Sequence, residues 1–324
     1  MQGVKQKALE LLASGKAARV LGWKRGEFFY DLTPACFTSA EQIEQDFVYG
    51  PFAGANLSKY CIALSRGTGK LAVFLKPCDS YSFLQLCKEH RIDRENVYIV
   101  GVQCEGMCDV EKLRALGVTG ATQVREDGDI LRITTLYGET DVARADALLE
   151  KCICCKSRRI VLFDELLGEQ GAETENARFA GVEVIERMEP QERFDFWRGE
   201  LSRCIRCNAC RNVCPACSCE RCVFDNHALG TDNKAAADDF EENFFHIIRA
   251  FHVASRCTDC GECSRVCPQH IPLHLLNRKF IKDINTLYGE YQAGADFDSV
   301  PPLTAYRTDD CEPSDFRSKG GARA

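Results

Sequence analysis

Residues 204–215 read CIRCNACRNVCP, and residues 257–268 read CTDCGECSRVCP. Both runs have the form C-x2-C-x2-C-x3-C-P, and they repeat at an offset of 53 residues. Three cysteines in so tight a loop can wrap one compact inorganic group. The fourth follows a short turn, and its proline ends that turn with no backbone N–H to satisfy.

This is the spacing of a bacterial-type 4Fe–4S ferredoxin site, in which a cubane needs four thiolates. In two-cluster ferredoxins the fourth Cys of each run crosses to the other cluster. Carried onto this chain, one cluster takes Cys204, Cys207, Cys210 and Cys267. The other takes Cys257, Cys260, Cys263 and Cys214. A pair of structural zinc sites is the rival reading. Zinc usually takes two separated C-x2-C pairs, a pattern that three-plus-one runs ending in Pro fit poorly.

The chain has 324 residues, 45% of them hydrophobic, enough for two domains and a sizeable core. No long apolar run follows Met1, so no signal peptide is expected, and no stretch approaches the roughly 20 apolar residues of a membrane span. A disulfide scaffold suits a much shorter secreted chain than one with 21 cysteines over this length. The expected setting is a reducing, anaerobic cytoplasm. A net charge of −7 without a long basic run argues against nucleic acid as partner.

In the amino-terminal half, GVKQKALELLAS at 3–14 has helical spacing. ARVLGWKRGEFFYDL at 18–32 reads as two short strands around Arg25-Gly26, followed by a polar connection with a short helix over 37–46. GKLAVFLKPCD at 69–79 and NVYIVGVQC at 96–104 are apolar runs of the kind found in buried parallel strands. Between them, SYSFLQLCKEHRID at 80–93 has helical periodicity, so the unit is strand–helix–strand with a right-handed crossover. Cys78 and Cys104 then fall at the carboxyl edge of one sheet, where such sheets bind ligands. RGTGK at 66–70 lacks the full phosphate-loop spacing and reads as a turn. VREDGDILRI signals a hairpin at Asp127-Gly128, with a helix expected over about 141–151. Cys152 and Cys155 of CICC complete a four-thiolate set with Cys78 and Cys104, suited to a third cluster; Cys108 is the rival fourth ligand, Cys154 is a bystander, and Cys87, inside the helix, reads as core. A zinc site or a redox-active pair is the alternative there.

In the carboxyl-terminal half, RRIVLFDELLG at 158–168 resumes a strand and turn. The insert between the two cysteine runs holds ACSCERC, TDNKAAADD and FEENFFHIIRAFHV. Cys217, Cys219 and Cys222 could serve a further cluster or zinc, or line the neighbouring cluster. Phe240, Phe244, Ile248 and Phe251 are expected to form the core-facing stripe of a helix. His227, His246, His252 and His270 lack metal-type spacing and read as ordinary polar residues. Cys311 lies in a polar tail and reads as a free thiol.

NLSKY at 56–60, LKPCDSYSFLQLCKEHRIDRENVYIVGVQCEGM at 75–107, C-x2-C with FDELLG at 152–168, and CIRCNACRNVCPACSCERC at 204–222 carry a resemblance. The chain is similar to the coenzyme F420 hydrogenase/dehydrogenase beta-subunit family, which includes formate dehydrogenase beta subunits, over most of residues 5–290. The resemblance implies a cytoplasmic iron–sulfur subunit, with FAD in many members. Such subunits pass electrons between a hydride carrier or hydrogenase-type partner and one-electron centres. The order of the domains looks closer to subunits beside heterodisulfide-reductase-like or formate dehydrogenase-like complexes.

The expected architecture is an α/β domain with a short parallel sheet over 1–168 and a linker over 169–195. An α+β two-cluster ferredoxin-like domain follows over 196–290, with a polar tail over 291–324. The expected function is an electron-transfer subunit partnered by other redox subunits. A stand-alone FAD/iron–sulfur reductase and a zinc-binding scaffold are the alternatives.

Overall fold

The computed structural model describes residues 2–174, 177–229, 239–305 and 307–308. Phe240 of the expected helix stripe has no described side chain, and Cys311 and most of the TDNKAAADD run lie outside the described residues. The chain divides into two compact units, Met1–Ser80 with Glu89–Glu175, and Tyr81–Lys88 with Asn176–Ala324. Among the described residues no helix is long and apolar enough to cross a membrane.

The first unit begins with α1 (Gln2–Ala13), β1 (Arg19–Arg25), β2 (Leu32–Phe37), α2 (Ala40–Asp46), α3 (Cys61–Leu64) and β3 (Leu71–Leu75). The helix α4 (Pro77–Lys88), whose residues from Tyr81 on are counted with the second unit, is followed by β4 (Val97–Val102), α5 (Val110–Ala115), β5 (Ala121–Asp127), β6 (Ile130–Thr135), β7 (Gly138–Ala143), α6 (Glu150–Ile153) and β8 (Glu165–Leu167). One sheet has the order β2-β1-β3-β4-β8. Only the β1–β2 pair is antiparallel; the other neighbours are parallel. All five residues of β3 are buried, as are all of β4 but Tyr98. A parallel strand covered on both faces has to be apolar throughout, and that is why these runs do not alternate. The register runs from Leu71 opposite Val97 to Leu75 opposite Gly101, as a strand–helix–strand unit requires.

Three boundaries differ from the sequence reading. The second early strand begins at Leu32 rather than just past Gly26, because GEFFYD is spent on the turn. The helix after β3 starts at Pro77, whose fixed φ and missing N–H suit a first helical position. It stops five residues early, and His90 beyond it is left-handed at φ 53°. The helix expected over 141–151 is instead β7, then a short 3-10 turn at Arg144–Ala147, then α6. The hairpin signal was correct: Gly128 takes φ 59° between β5 and β6. β6 then pairs with β7 to make a second, antiparallel sheet. Leu131 and Ile133 from its buried face pack with Phe52, Cys108, Leu113, Val118 and Ala147.

The second unit holds α7 (Ala180–Glu186), α8 (Pro190–Ser202), α9 (Ala209–Val213), α10 (Asp239–Val253), α11 (Glu262–Arg265) and α12 (Leu273–Tyr288). It contains no strand among the described residues, so the α+β expectation is corrected to a helical arrangement. The apolar residues around the cysteine runs recur every three or four positions rather than every second. On α12 the buried set is Leu273, His274, Asn277, Arg278, Ile281 and Ile284, one helix face.

The stripe expected on α10 is also corrected. Phe244 and Phe251 are exposed, at 43% and 58%, and the buried residues are Phe245, His246, Arg249, Ala250 and Val253. Hydrophobicity misled here because the inward face carries a histidine and an arginine in place of two phenylalanines.

Asp259 ties the unit together. Its Oδ2 accepts from Arg178 Nε at 2.7 Å and its Oδ1 from Arg278 Nε at 2.8 Å. Arg278 is 1% exposed. Removing one partner of a buried ion pair leaves an uncompensated charge and costs about 3–5 kcal/mol. Asp259→Ala is therefore expected to lower the unfolding free energy of the chain by that order, read as a fall in its denaturant midpoint, whereas an exposed control such as Asp127→Ala should leave it nearly unchanged.

Candidate metal centre

The repeat in the cysteine sequence is also a repeat in backbone conformation. Arg206 and Asn208 lie between the cysteines of the first run with φ 52° and 61°. Asp259 and Gly261 hold the equivalent places in the second, with φ 56° and 65°. The short helices α9 and α11 follow directly on each. Three of these four residues carry a side chain, so the left-handed conformation is costly and has to be held by its surroundings. Such alternation turns successive N–H groups toward one side, forming the anion-binding concavity found at many phosphate and Fe–S sites. The Arg206 N–H donates to Cys204 Sγ at 3.4 Å. In the second run, the two arginines on the Asp259 carboxylate pin the loop.

The thiols gather in two crossed sets. Cys204, Cys207, Cys210 and Cys267 line one cavity together with Phe245 and His246. Burial raises the Cys210 thiol to about 11, with Arg249 opposing and Cys263 and Cys267 adding. Cys214 instead belongs with the second run, packing with Ala216 and Val253 beside Cys217 and Cys257. Burial pushes Cys263 up to about 12, opposed by Arg249 and reinforced by Cys214 and Cys257. It also holds Cys260 well above the ordinary thiol value, with Glu262, Cys214 and Cys257 adding. Cys214 itself is raised first by its hydrogen bond with Cys217, then by burial. In the second run, Asn277 Nδ2 donates to Cys263 Sγ at 3.5 Å.

Among the described residues, His246 and Arg249 are buried in this region with side-chain nitrogens that have no hydrogen-bond partner. His246 is 1% exposed with both ring nitrogens unsatisfied, and Arg249 is 2% exposed with Nε, Nη1 and Nη2 all unsatisfied. Buried polar groups are costly unless paired. Donors left open among cysteine sulfurs fit an anionic, sulfur-rich group between the thiols. Burial lowers His246 to about 3, with the charges of Arg249 and Arg206 adding. The sequence reading of His246 as an ordinary polar residue is thereby corrected; the phase of α10, with 245, 249 and 253 inward, was the signal. Among the described residues no three or more His, Cys, Asp or Glu side chains converge on one metal ion. A cubane spreads its four thiolates over four separate irons, so its ligands lie farther apart than those of a single ion.

Cys217, Cys219 and Cys222 meet three different surroundings. Cys217 is beside Cys214 and Val253, Cys219 is exposed, and Cys222 packs against the cluster of Leu201 and Phe224.

In the first unit, Cys78 sits in the first turn of α4, Cys104 lies two residues beyond β4, and Cys152 and Cys155 are on and just after α6. Adjacent parallel strands place Cys78 and Cys104 at the same sheet edge. Burial raises Cys104 to about 12, with Cys152 and Cys155 adding and Lys76 opposing. It holds Cys78 well above the usual thiol value, with Asp79 and Cys104 adding and Lys151 and Lys76 opposing. Backbone N–H groups reach two of these sulfurs: Gly106 to Cys104 at 3.4 Å and Met107 to Cys152 at 3.3 Å. Cys108 lies within the apolar cluster of Leu113, Val118 and Leu131. Burial raises it to about 11, and Cys152 adds to that. Cys87 is buried, as expected.

Sequence reasoning missed the polar brace behind this edge. Lys76 is 1% exposed and its Nζ donates to Asp79 Oδ2 and to the Ala55 carbonyl, both at 2.9 Å, while standing 4.4 Å over the Trp23 ring. Ser58 Oγ donates to the Asp79 carbonyl at 2.6 Å, and Lys151 Nζ to the Gly54 carbonyl at 2.7 Å. The polar residues of NLSKY and KPCD, set against apolar runs, were the available signal.

Residues 200–271 match the family described as a 4Fe-4S dicluster domain. The chain is 26% identical over 343 residues to the F420-dependent formate dehydrogenase subunit beta of Methanocaldococcus jannaschii, covering 88% of this chain and 89% of that one. It is 24% identical over 370 residues to the F420-dependent formate dehydrogenase 1 subunit beta of Methanococcus maripaludis, covering 90% of each. A chain in the solved xenon-derivatised F420-reducing NiFe hydrogenase complex from Methanosarcina barkeri is similar at TM-score 0.38 and 13% identity, over 61% of this chain and 84% of that one. That likeness is too slight to bear on function.

The crossed grouping of thiols predicts a selective defect. Cys214→Ser is expected to disturb the electron paramagnetic signal of the cluster held by Cys257, Cys260 and Cys263 and to spare the other. The reverse result would mean that each run binds its own cluster.

Proposed function

We propose that this chain, a homologue over nearly nine-tenths of its length of F420-dependent formate dehydrogenase beta subunits and carrier of a 4Fe-4S dicluster domain, is an iron–sulfur electron-transfer subunit of an oxidoreductase complex. The observation that carries this reading is the pair of left-handed cysteine loops, with Cys204, Cys207, Cys210 and Cys267 lining one cavity, Cys214 packed beside Cys257, and the unsatisfied donors of Arg249 buried in the same unit. Cys204, Cys207, Cys210 and Cys267 hold one cluster; Cys257, Cys260, Cys263 and Cys214 hold the other. Iron–sulfur clusters in these sites supply one-electron acceptance and release.

The chain's own groups set the conditions for that chemistry. The Arg206 loop N–H points a hydrogen bond at the Cys204 sulfur, and the packing buries Cys210, Cys214 and Cys263. Burial and hydrogen bonds to sulfur are the principal controls on cluster potential.

The carboxyl edge of the sheet is a third site. Cys78, Cys104, Cys152 and Cys155 hold a further cluster there, with Lys76 and Lys151 offsetting thiolate charge. This reading is supported by the mutual influence of the four thiols and by the N–H donors on Cys104 and Cys152. The partners are other redox subunits, one of which handles a two-electron hydride carrier. Support for this comes from the homologues, which are named as subunits of dehydrogenases that depend on such a carrier.

Anaerobic purification of the full chain tests the proposal. About twelve iron atoms per chain are expected, four per cubane, and the preparation should be brown. Cys104→Ser is expected to leave about eight, while Cys154→Ser should leave the count unchanged. A colourless, zinc-only preparation would sink the reading. Turnover of a diffusible substrate by the isolated chain would favour a stand-alone reductase over a subunit.

A further inference from the structure

On α10, residues 245, 249 and 253 are one helical turn apart and share the buried face. Phe245, with His246 beside it, lines the cavity of Cys204, Cys207, Cys210 and Cys267. Val253, two turns on, packs with Cys214 beside Cys257 and Cys217. Arg249 stands between them on the same stripe, and the helix thereby carries its guanidinium from the first thiol set toward the second. Burial works against its charge, but the thiols of Cys263, Cys210, Cys214 and Cys217 hold its pKa above the ordinary guanidinium value.

The buried carboxylates Glu262 and Asp259 of this unit are engaged by other arginines. Glu262, 1% exposed, is bound by both Nε and Nη2 of Arg265 at 2.8 Å. Asp259 is engaged by Arg178 and Arg278. Among the described residues, none is a hydrogen-bond partner of the three guanidinium nitrogens of Arg249, which is 2% exposed. An always-charged group with five N–H donors is not stable in such a place unless something anionic receives them.

We propose that Arg249 is the shared charge-compensating residue of the two clusters, donating to sulfur on both sides and making each easier to reduce. This rests on the proposed cluster sites and adds a role that cysteine spacing does not specify. A cluster gains negative charge on reduction, so a fixed cation nearby favours the reduced form. Net charge and hydrogen bonds to sulfur are established determinants of cluster potential. Arg249 belongs to the insert that separates the two cysteine runs, so the insert tunes the pair.

The test uses the full anaerobic chain and redox titration followed by electron paramagnetic resonance. In Arg249→Gln both midpoint potentials are expected to fall, with at least a tenfold loss in each reduction equilibrium constant, about 59 mV for a one-electron couple. Arg249→Lys, which keeps the charge, is expected to retain both clusters with potentials nearer the wild type. If Arg249→Gln fails to load iron, retention in Arg249→Lys supports the charge requirement, and loss in both variants assigns Arg249 to packing and overturns the proposal. Unchanged potentials, or a shift confined to one cluster, also overturn it while leaving the cluster sites intact. A wild-type chain without either cluster would remove both this inference and the function it rests on.

Discussion

Charge on sulfur held out of water is the constraint on which the rest of the structure depends. A thiolate deprived of hydration needs a metal, a hydrogen-bond donor or a cation close by. Burial is the leading cause of the raised thiol values at Cys104, Cys210, Cys260 and Cys263, and neighbouring cysteines add to each. Without iron these thiols are unfavourable to ionise together. In the proposed cluster sites iron takes them as ligands, which would couple metal binding to folding. Backbone N–H groups on sulfur, left-handed loops and the buried Arg249 and His246 all answer the same electrostatic demand.

The second unit meets that demand with two layers of support. Within each run, residues between cysteines take positive φ, which turns the chain around a small concavity. Behind the second run, Arg178 and Arg278 grip the carboxylate of Asp259 and hold a non-glycine residue in that conformation. The helices α8, α10 and α12 pack around the cysteines and supply most of the apolar cover. Stability and site geometry therefore rest on the same residues.

The first unit reaches a comparable end from a different scaffold. Parallel strands deliver Cys78 and Cys104 to one edge, and the chain returns with Cys152 and Cys155. The edge is braced by Lys76, whose ammonium is shared between Asp79, a carbonyl and the face of Trp23. A buried ion pair of this kind adds little net stability but strongly specifies geometry when its hydrogen bonds are complete. Here it fixes the turn that carries Cys78.

Cysteine spacing is local chemistry, and it was legible by eye. A repeated C-x2-C-x2-C-x3-C-P run admits few metals, and the residues it covers match a 4Fe-4S dicluster domain. The parallel pair β3–β4 was equally legible, because a strand buried on both faces must be apolar throughout. The helix phase of α10 was not, since its buried face spends two positions on His246 and Arg249 and exposes Phe244 and Phe251. Nor was β7, where short strands and short helices share the same polar composition until a partner strand is present. The sequence by itself determined which ligands exist and how they are spaced. Only the tertiary structure decided that Cys214 packs beside Cys217 and Cys257 and that Arg249 is buried on the inward face of α10, because those are contacts between residues tens of positions apart, set by packing rather than by local pattern.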